Sequence, residues 1–463
     1  MHYGGKMLVS LKFSNFRSYY NEQLFSMIAN PQEKNRYLEN SFAVDSGLYK
    51  GRLLKSSMIL GVNGSGKTNL LSVAKYLRYL VLFSSEAGRD KRNIFIDANE
   101  QFAFFESAKI APTTFEIEFI VENKFYYIYK LQIKNFEVEY ECLYRRDISE
   151  GKRLSKIKCL YERNDNNLIN VSDDFKKLVE FVEIKPNVLL ISNCNSDIKD
   201  DVCPSGKMII KWFNDLHYWT SSTSSIEIYD TNEGLLDKAE LLLKASDKSL
   251  KALKLEKTKL DVPIEDQNDP KSVIKALKKS NIDLDSGIIA MLDDGIYKIN
   301  INAEYNFYDN PINKNIKDTV KFSVFDSSSK ISTGQAKLIK YFAYIIEVLQ
   351  NGGILFLDEL DSNLHHQFPK LITDAFNDDE INTHNAQLIF TTHSANLLNN
   401  NFRRDQINIV FKDKYGISSA KNPERINARV KNTNSLSKLW LENELNGIEN
   451  ITIEDLREIL LRG

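Results

Sequence analysis

The chain has 463 residues, 42% hydrophobic and 27% charged, the make-up of a folded protein with a sizeable core. That excludes a collagen-like chain, a disordered tail and a disulfide scaffold. Lysine and arginine number 61 against 63 aspartates and glutamates, a net charge of -2, so no overall basic excess marks a nucleic-acid binder. The four cysteines, Cys142, Cys159, Cys194 and Cys203, show no zinc-type spacing and read as reduced thiols of a cytoplasmic protein. No apolar run is long enough to span a membrane. The polar opening, residues 1–6, leads us to expect no secretory signal.

Residues 7–145 are expected to form a first lobe. Residues 54–60 are an apolar run broken only by Lys55, Ser56 and Ser57, which reads as a strand. Gly61-Val62-Asn63-Gly64-Ser65-Gly66-Lys67-Thr68 then fits the phosphate-loop pattern G-x-x-x-x-G-K-[ST] without a mismatch. Leu70, Leu71, Ala74, Leu77 and Leu80 have helical spacing and predict a helix over 69–80. Strand, glycine loop and helix are the context the motif requires. Gly61, Gly64 and Gly66 let the backbone turn and aim N–H groups at phosphate oxygens. The helix start adds its partial positive charge. Lys67 would reach the β- and γ-phosphates of a nucleoside triphosphate, and the Thr68 hydroxyl would ligate Mg²⁺. Asn63, Ser65 and Asn69 belong to the same nucleotide-binding stretch. Residues 114–121 and 125–133 alternate and predict antiparallel strands with one solvated face.

Residues 146–320 read as a mainly helical insertion for self-association or partner docking. Helices are predicted over 174–182 and 208–219, and the Leu/Lys-rich stretch 235–259 reads as amphipathic and helical. Lys251, Lys254, Lys257 and Lys259 are interleaved with leucine, more like a solvated helix face than a DNA stripe. Residues 261–272 read as a loop. Asp283-Leu284-Asp285 reads as a loop acid pair rather than a metal motif. Residues 297–308 alternate like a strand.

Residues 321–463 are expected to form a second lobe. Ser332-Thr333-Gly334-Gln335 precedes a helix predicted over 336–350 and makes a second anion-binding helix end. Gly353-Ile354-Leu355-Phe356-Leu357-Asp358-Glu359 reads as a strand covered on both faces and ending in two acids. Asp358 can hold Mg²⁺ through water, and Glu359 can polarise the water that attacks the γ-phosphate. Asp361 follows within a short turn. Residues 387–394 read as another strand, ending at His393, a candidate γ-phosphate sensor. His365 and His366 read as structural or as a local phosphate-side contact, not as a metal site. A further strand is predicted over 407–411, and helices over 436–445 and 453–461.

The set Gly61 to Thr68, Ser332 to Gln335, Leu355 to Glu359, Asp361 and His393 resembles the ABC/SMC/RecF class of ATPases. So does the opening Leu11-Lys12-Phe13-Ser14-Asn15-Phe16-Arg17-Ser18, a first strand ending in a turn where Arg17 could contact phosphate. More narrowly it resembles the OLD-type, abortive-infection AAA-family ATPases. These are RloA/AbiLi-like proteins, similar to AriA of PARIS and PtuA of Septu. Asp361-Ser362-Asn363-Leu364-His365 and Arg403-Arg404-Asp405-Gln406-Ile407 carry that narrower likeness, which covers 7–145 and 320–415.

The resemblance implies an α/β fold: an ABC-type, SMC/RecF-like ATPase head with an antiparallel β subdomain and a helical insertion. It implies ATP hydrolysis with Mg²⁺. In this class the signature helix of one protomer caps the nucleotide held by another. Ser332, Gly334 and Gln335 would then act in trans, within a homodimer or a higher homo-oligomer. A Q-loop glutamine near the metal should follow the first helix, and Gln101 lies in a plausible place. Thr333 stands where transporter ATPases carry glycine, which disfavours a transporter subunit. OLD-type nucleases fuse a Toprim domain after the ATPase, and only about fifty residues follow Phe411. The expectation is therefore a sensor or scaffold subunit of an anti-phage system, away from membranes, with DNA or a phage protein as trigger. A separate Toprim, RloB-like or HNH nuclease would be its effector. The alternative is a RecF-like DNA-binding repair ATPase with ATP as a clamp switch.

Overall fold

The computed structural model describes residues 5–33, 37–46, 49–97, 99–148, 155–195, 198–199, 201–219, 228–229, 232, 234–260, 288–292, 295–326, 330–399, 401–426, 436–442 and 453–461. They divide into two compact units. One comprises Met1–Thr220, Val348–Ser362 and His366–Gly463; the other comprises Ser221–Glu347 and Asn363–His365. The boundaries expected at 145 and 320 do not coincide with these.

The first unit is built on two sheets. Its six-stranded sheet runs Leu216–Trp219, Ile354–Leu357, Gln387–Thr392, Ser56–Leu60, Ile407–Lys412, Ser418–Lys421. All neighbours are parallel except the last pair. Ser56–Leu60, Ile354–Leu357 and Gln387–Thr392 are buried along their whole length, as strands covered on both faces must be. Register then does the functional placing. Leu357 lies opposite Phe390, and Thr392 opposite Leu60. The residues that follow, Asp358, His393 and Gly61, therefore leave the sheet at one edge. That edge, beyond the carboxyl ends of parallel strands, is where open α/β sheets bind ligands.

The helix Lys67–Arg89 packs on this sheet through Leu70, Leu71, Ala74, Leu77, Leu80 and Val81. It extends beyond the predicted span because Leu82, Ser84, Ser85 and Ala87 are buried too. The second sheet is antiparallel, in the order Asn167–Val171, Lys158–Asn164, Glu137–Asp147, Phe125–Lys134, Thr113–Val121, Lys6–Ser14, Gln23–Ser26. Thr113–Val121 alternates buried and half-buried along most of its length. Its inner face carries Phe119, whose ring stacks on Trp212 at 4.3 Å between centroids. Residues 158–171 belong to this sheet, so the first unit runs on past the boundary expected at 145.

Three element readings are corrected. Residues 208–219 are not one helix: the helix Pro204–Asn214 ends, and Leu216–Trp219 becomes an edge strand paired in parallel with Ile354–Leu357. The apolar Leu-His-Tyr-Trp run suits a half-covered strand as well as a helix end. Lys55 separates two strands, Tyr49–Leu54 and Ser56–Leu60. Residues 235–259 split at Asp247 into the helix Leu235–Ser246 and the strand Leu250–Leu260. From Leu253 onward, Leu-Lys-Leu-Glu alternates with period two, the strand signature.

That strand belongs to the second unit. There it pairs with Gly295–Tyr308, which also pairs with Ile288–Leu292 and Ile316–Ser323. The described part of 146–320 is thus not mainly helical. Lys254 pairs with Glu304 at 3.2 Å, and Lys257 and Lys259 lie over the Tyr297 ring. Residues 261–272 and Asp283 to Asp285 lie outside the described residues, as do residues 443–445 of the helix predicted over 436–445. Among the described residues, no helix is long and apolar enough to cross a membrane.

Candidate functional site

The phosphate loop leaves the buried strand Ser56–Leu60 and closes on the helix Lys67–Arg89, with Gly66 at φ 114° as its N-cap. Only glycine adopts that backbone without strain. A Cβ on Gly66 would also strike the Ser418 hydroxyl, and one on Gly61 would fall 2.5 Å from the Val410 carbonyl oxygen. Asn63 and Gly64 are exposed at the loop's tip, whereas Ser65 is buried.

The Lys67 ammonium folds back under the loop. Its Nζ donates to the Gly61 and Val62 carbonyls at 2.8 and 2.9 Å, and lies 3.2 Å from His393 Nδ1. Burial pushes the Lys67 amine down to about 8, against the opposing pull of Asp358, Glu359 and Asp361. The charged form needed for phosphate binding is present below that value and lost as pH rises through it. Affinity for ATP is therefore expected to fall about tenfold between pH 7 and pH 9, measured by calorimetric titration. Affinity that is flat across that range would show that Lys67 keeps its ordinary basicity.

Opposite the loop, the acidic strand end is held by one threonine. The Thr391 hydroxyl donates to Asp358 Oδ1 at 2.6 Å and accepts the Glu359 N–H at 2.7 Å, and its carbonyl accepts the Leu360 N–H at 3.0 Å. Thr68 Oγ1 donates to the same Asp358 oxygen at 3.2 Å. A hydroxyl and a carboxylate brought together from the loop and the acidic strand are hard oxygen donors suited to Mg²⁺, so these residues fit the ion. Glu359 stands exposed at φ 51°, a left-handed backbone that a non-glycine residue adopts at a cost of about 1–2 kcal/mol. Asp361 accepts the His393 N–H with both oxygens at 3.3 Å. Lys67, Thr68, Asp358, Glu359, Asp361 and His393 are thus drawn to one edge of one sheet.

The other candidates lie as follows. Arg17 forms a bidentate pair with Glu100, both contacts at 2.6 Å, and donates from Nη1 to Ser72 Oγ at 2.8 Å. Ser72 in turn donates to the Thr68 carbonyl at 2.7 Å, so the guanidinium lies beside the first turn of the phosphate-loop helix. Its partner Glu100 went unnoticed in the sequence reading. Gln101 lies beside Glu100, its N–H on Asn99 Oδ1 at 3.1 Å, in a cleft lined also by Tyr76 and Phe95. Asn69 Nδ2 donates to Ser18 Oγ at 2.8 Å.

Ser332, Gly334 and Gln335 belong to the second unit. There Ser332 Oγ accepts the Gln335 N–H at 3.1 Å, and Gln335 Oε1 accepts the Ser332 N–H at 3.3 Å. This is a capping box for the helix Thr333–Asn351, a second meaning of Ser-x-x-Gln. Gln335 Nε2 also donates to Asp247 at 2.7 Å. A Cβ on Gly334 would fall 2.6 Å from the Asn363 carbonyl oxygen. Thr391, which holds Asp358 and Glu359, and Ser418, which donates to the Ser65 carbonyl, touch the site residues without having been candidates themselves. Thr391 was legible as a polar residue closing an otherwise apolar strand; nothing in the sequence singles out Ser418.

No curated protein is significantly similar to the chain. Among solved structures, an SMC head domain from Thermotoga maritima is 13% identical with a TM-score of 0.35, over 90% of this chain and 98% of that one. An SMC head bound to the C-winged helix domain of ScpA is 12% identical with a TM-score of 0.32, over the same shares of each chain. Both likenesses are distant. The family described as "AAA domain, putative AbiEii toxin, Type IV TA system" matches residues 56–190 and 242–399, spans that hold the phosphate loop, the acidic strand and His393. They amount to more than half of the chain, which belongs to this family of AAA-type ATPase domains.

Proposed function

We propose that the chain binds and hydrolyses ATP with Mg²⁺ at the edge of its parallel sheet, as a homodimer or higher homo-oligomer. In this reading it is the sensor or scaffold subunit of an anti-phage, abortive-infection system, related to the OLD-type ATPases. It acts in the cytoplasm with a separate nuclease of the Toprim, RloB-like or HNH kind, and DNA or a phage protein is its trigger. The observation that carries the catalytic part is the contact of Thr68 with Asp358 across 290 positions of sequence. The narrower role is supported by the motif resemblance and by membership of a family described as toxin-like.

The residues divide the work. The amides of Gly64, Gly66 and Lys67 and the Lys67 ammonium bind the phosphates. Thr68 and Asp358 would hold Mg²⁺, with Gln101 a further candidate. Mg²⁺ supplies charge neutralisation on the phosphate oxygens. Glu359, on the exposed turn, takes the proton of the attacking water. His393, anchored by Asp361, senses the γ-phosphate. Ser332, Gly334 and Gln335 of a second copy close the site. Of the four lysines interleaved with leucine, Lys254 is paired with Glu304 at 3.2 Å and Lys257 and Lys259 lie over the Tyr297 ring, contacts within the sheet that support the scaffold reading over the repair clamp.

The Lys67→Ala chain is expected to bind ATP about 10- to 100-fold more weakly, the worth of a charge-assisted contact, by calorimetric titration. It should also lose protection in bacteria challenged with phage. ATP affinity equal to that of the parent chain would end the catalytic reading. A parent chain that gives no protection with its nuclease partner would end the defence reading alone, and unchanged protection by Lys67→Ala would show that protection does not depend on ATP.

A further inference from the structure

The phosphate loop is braced from behind by a chain of hydroxyls, one of them, Ser418, outside every motif. Ser418, at the start of the antiparallel edge strand, is fully buried, and Ser18 is 5% exposed. Ser418 Oγ lies 2.6 Å from the Ser65 carbonyl oxygen and 2.8 Å from Ser18 Oγ. A hydroxyl has one proton. The carbonyl can only accept, so Ser418 is the donor to Ser65. Ser418 faces Ser18 Oγ as donor too, so the two acceptors share its one proton, and Ser18 Oγ, which also accepts from Asn69 Nδ2 at 2.8 Å, holds the Ser418 hydroxyl in place. Bonded contacts thus run from Asn69 through Ser18 and Ser418 to the Ser65 carbonyl. The relay begins and ends on the phosphate loop and its helix. Beside it, the buried Tyr19 hydroxyl donates to the Gly66 carbonyl at 3.1 Å.

These bonds have a consequence on the other side of the loop. In a trans peptide the carbonyl of one residue and the N–H of the next point in opposite directions. Holding the Ser65 oxygen toward Ser418 turns the Gly66 N–H away from it, and holding the Gly66 oxygen toward Tyr19 does the same for the Lys67 N–H. Gly66 has no side chain in the way: a Cβ there would strike both Ser418 Oγ and Ser18 Oγ. The glycine thus serves the relay as well as the turn.

We propose that Ser418, through this hydroxyl relay with Ser18, and Tyr19 are positioning residues that fix the Gly66 and Lys67 amides as phosphate donors. The proposal deepens the ATP-binding reading and rests on it. Two neutral hydrogen bonds oriented in advance predict that Ser418→Ala binds Mg²⁺-ATP and Mg²⁺-ADP about tenfold more weakly. The KM for ATP should rise by the same factor while kcat changes less than about twofold. Ser18→Ala should act in the same direction and more weakly. The double variant should be no weaker than Ser418→Ala alone, because the relay acts through Ser418.

The test is titration of the full chain and these variants with both nucleotides, alongside nucleotide-free melting temperatures. Affinity unchanged in Ser418→Ala, or lost only in step with the nucleotide-free melting temperature, overturns the relay and leaves the ATPase reading standing. Additive losses in the double variant also overturn it. A parent chain that binds neither nucleotide overturns both. If Ser418→Ala does not fold, the Ser18→Ala affinities decide on the same criteria.

Discussion

Glu359→Gln is expected to bind ATP as the parent chain does and to hydrolyse it about 100- to 10,000-fold more slowly, the range a positioned general base contributes. The substitution removes the proton-accepting oxygen and one of the three negative charges that pull the Lys67 amine upward, leaving those of Asp358 and Asp361. Glu359 is exposed, and its main chain is fixed: the N–H lies on Thr391 Oγ1 at 2.7 Å, with φ at 51°. Glutamine keeps that N–H and that backbone. The neighbouring contacts of Asp358 with Thr68 and Thr391 do not involve the Glu359 side chain. Binding and chemistry therefore separate at this residue, whereas at Lys67 they do not. Because the proposed site is completed by a second copy, the slow variant should accumulate as an ATP-dependent dimer or higher oligomer, read by light scattering. Normal turnover by Glu359→Gln would remove it as the base. A slow variant that stays monomeric with ATP would keep the base and remove the shared site.

Much of this site was readable because it is made of short, position-specific patterns. A glycine loop between a strand and a helix, and an apolar run ending in Asp-Glu, each state their own local geometry. Register in the parallel sheet then turns three distant segments into one edge. Burial of Ser56–Leu60, Ile354–Leu357 and Gln387–Thr392 on both faces enforces that register. What was unreadable depends on contacts rather than on pattern. Leu216–Trp219 is a short apolar run that suits a helix end as well as a strand, and only its partner strand decides; the period-two alternation in Leu250–Leu260 is masked by the leucine-rich helix just before it. Ser332 and Gln335 look like an anion site and also spell a capping box, and sequence cannot rank the two. Ser418 is one serine in a polar stretch until Ser65, Ser18 and Gly66 surround it.

Glu141 poses the opposite case, a charged residue whose large effect should be on stability and not on ATP. It and Arg163 are both fully buried in the antiparallel sheet, with Arg163 Nε 2.9 Å from the Glu141 carboxylate. The carboxylate also accepts the Tyr161 and Tyr129 hydroxyls at 2.6 and 3.0 Å, and the Leu190 and Ile191 N–H groups at 2.8 and 3.3 Å. Arg163 Nη1 and Nη2 donate to the Lys185 and Val188 carbonyls at 3.2 and 2.6 Å. Burial, and then this carboxylate, hold both phenols well above their ordinary range, so they act only as donors. The two phenols and the two N–H groups point at a charge that Glu141→Gln deletes, and the new amide adds two more donors among them. Arg163 would then be a buried cation without its counter-charge.

Breaking such a pair from one side costs about 3–5 kcal/mol, a large part of a domain's total of about 5–15 kcal/mol. Urea unfolding followed by the fluorescence of Trp212, which stacks on Phe119 in the same unit, should show that loss. The double variant Glu141→Leu with Arg163→Met removes the uncompensated cation but leaves the two phenols and two N–H groups without an acceptor, so it should recover only part of the loss. Affinity for ATP, measured where the variant is still folded, should not change. A single-variant loss below about 1 kcal/mol would mean that water reaches this pair, and that the antiparallel sheet is held to its helix-bearing face by apolar packing alone.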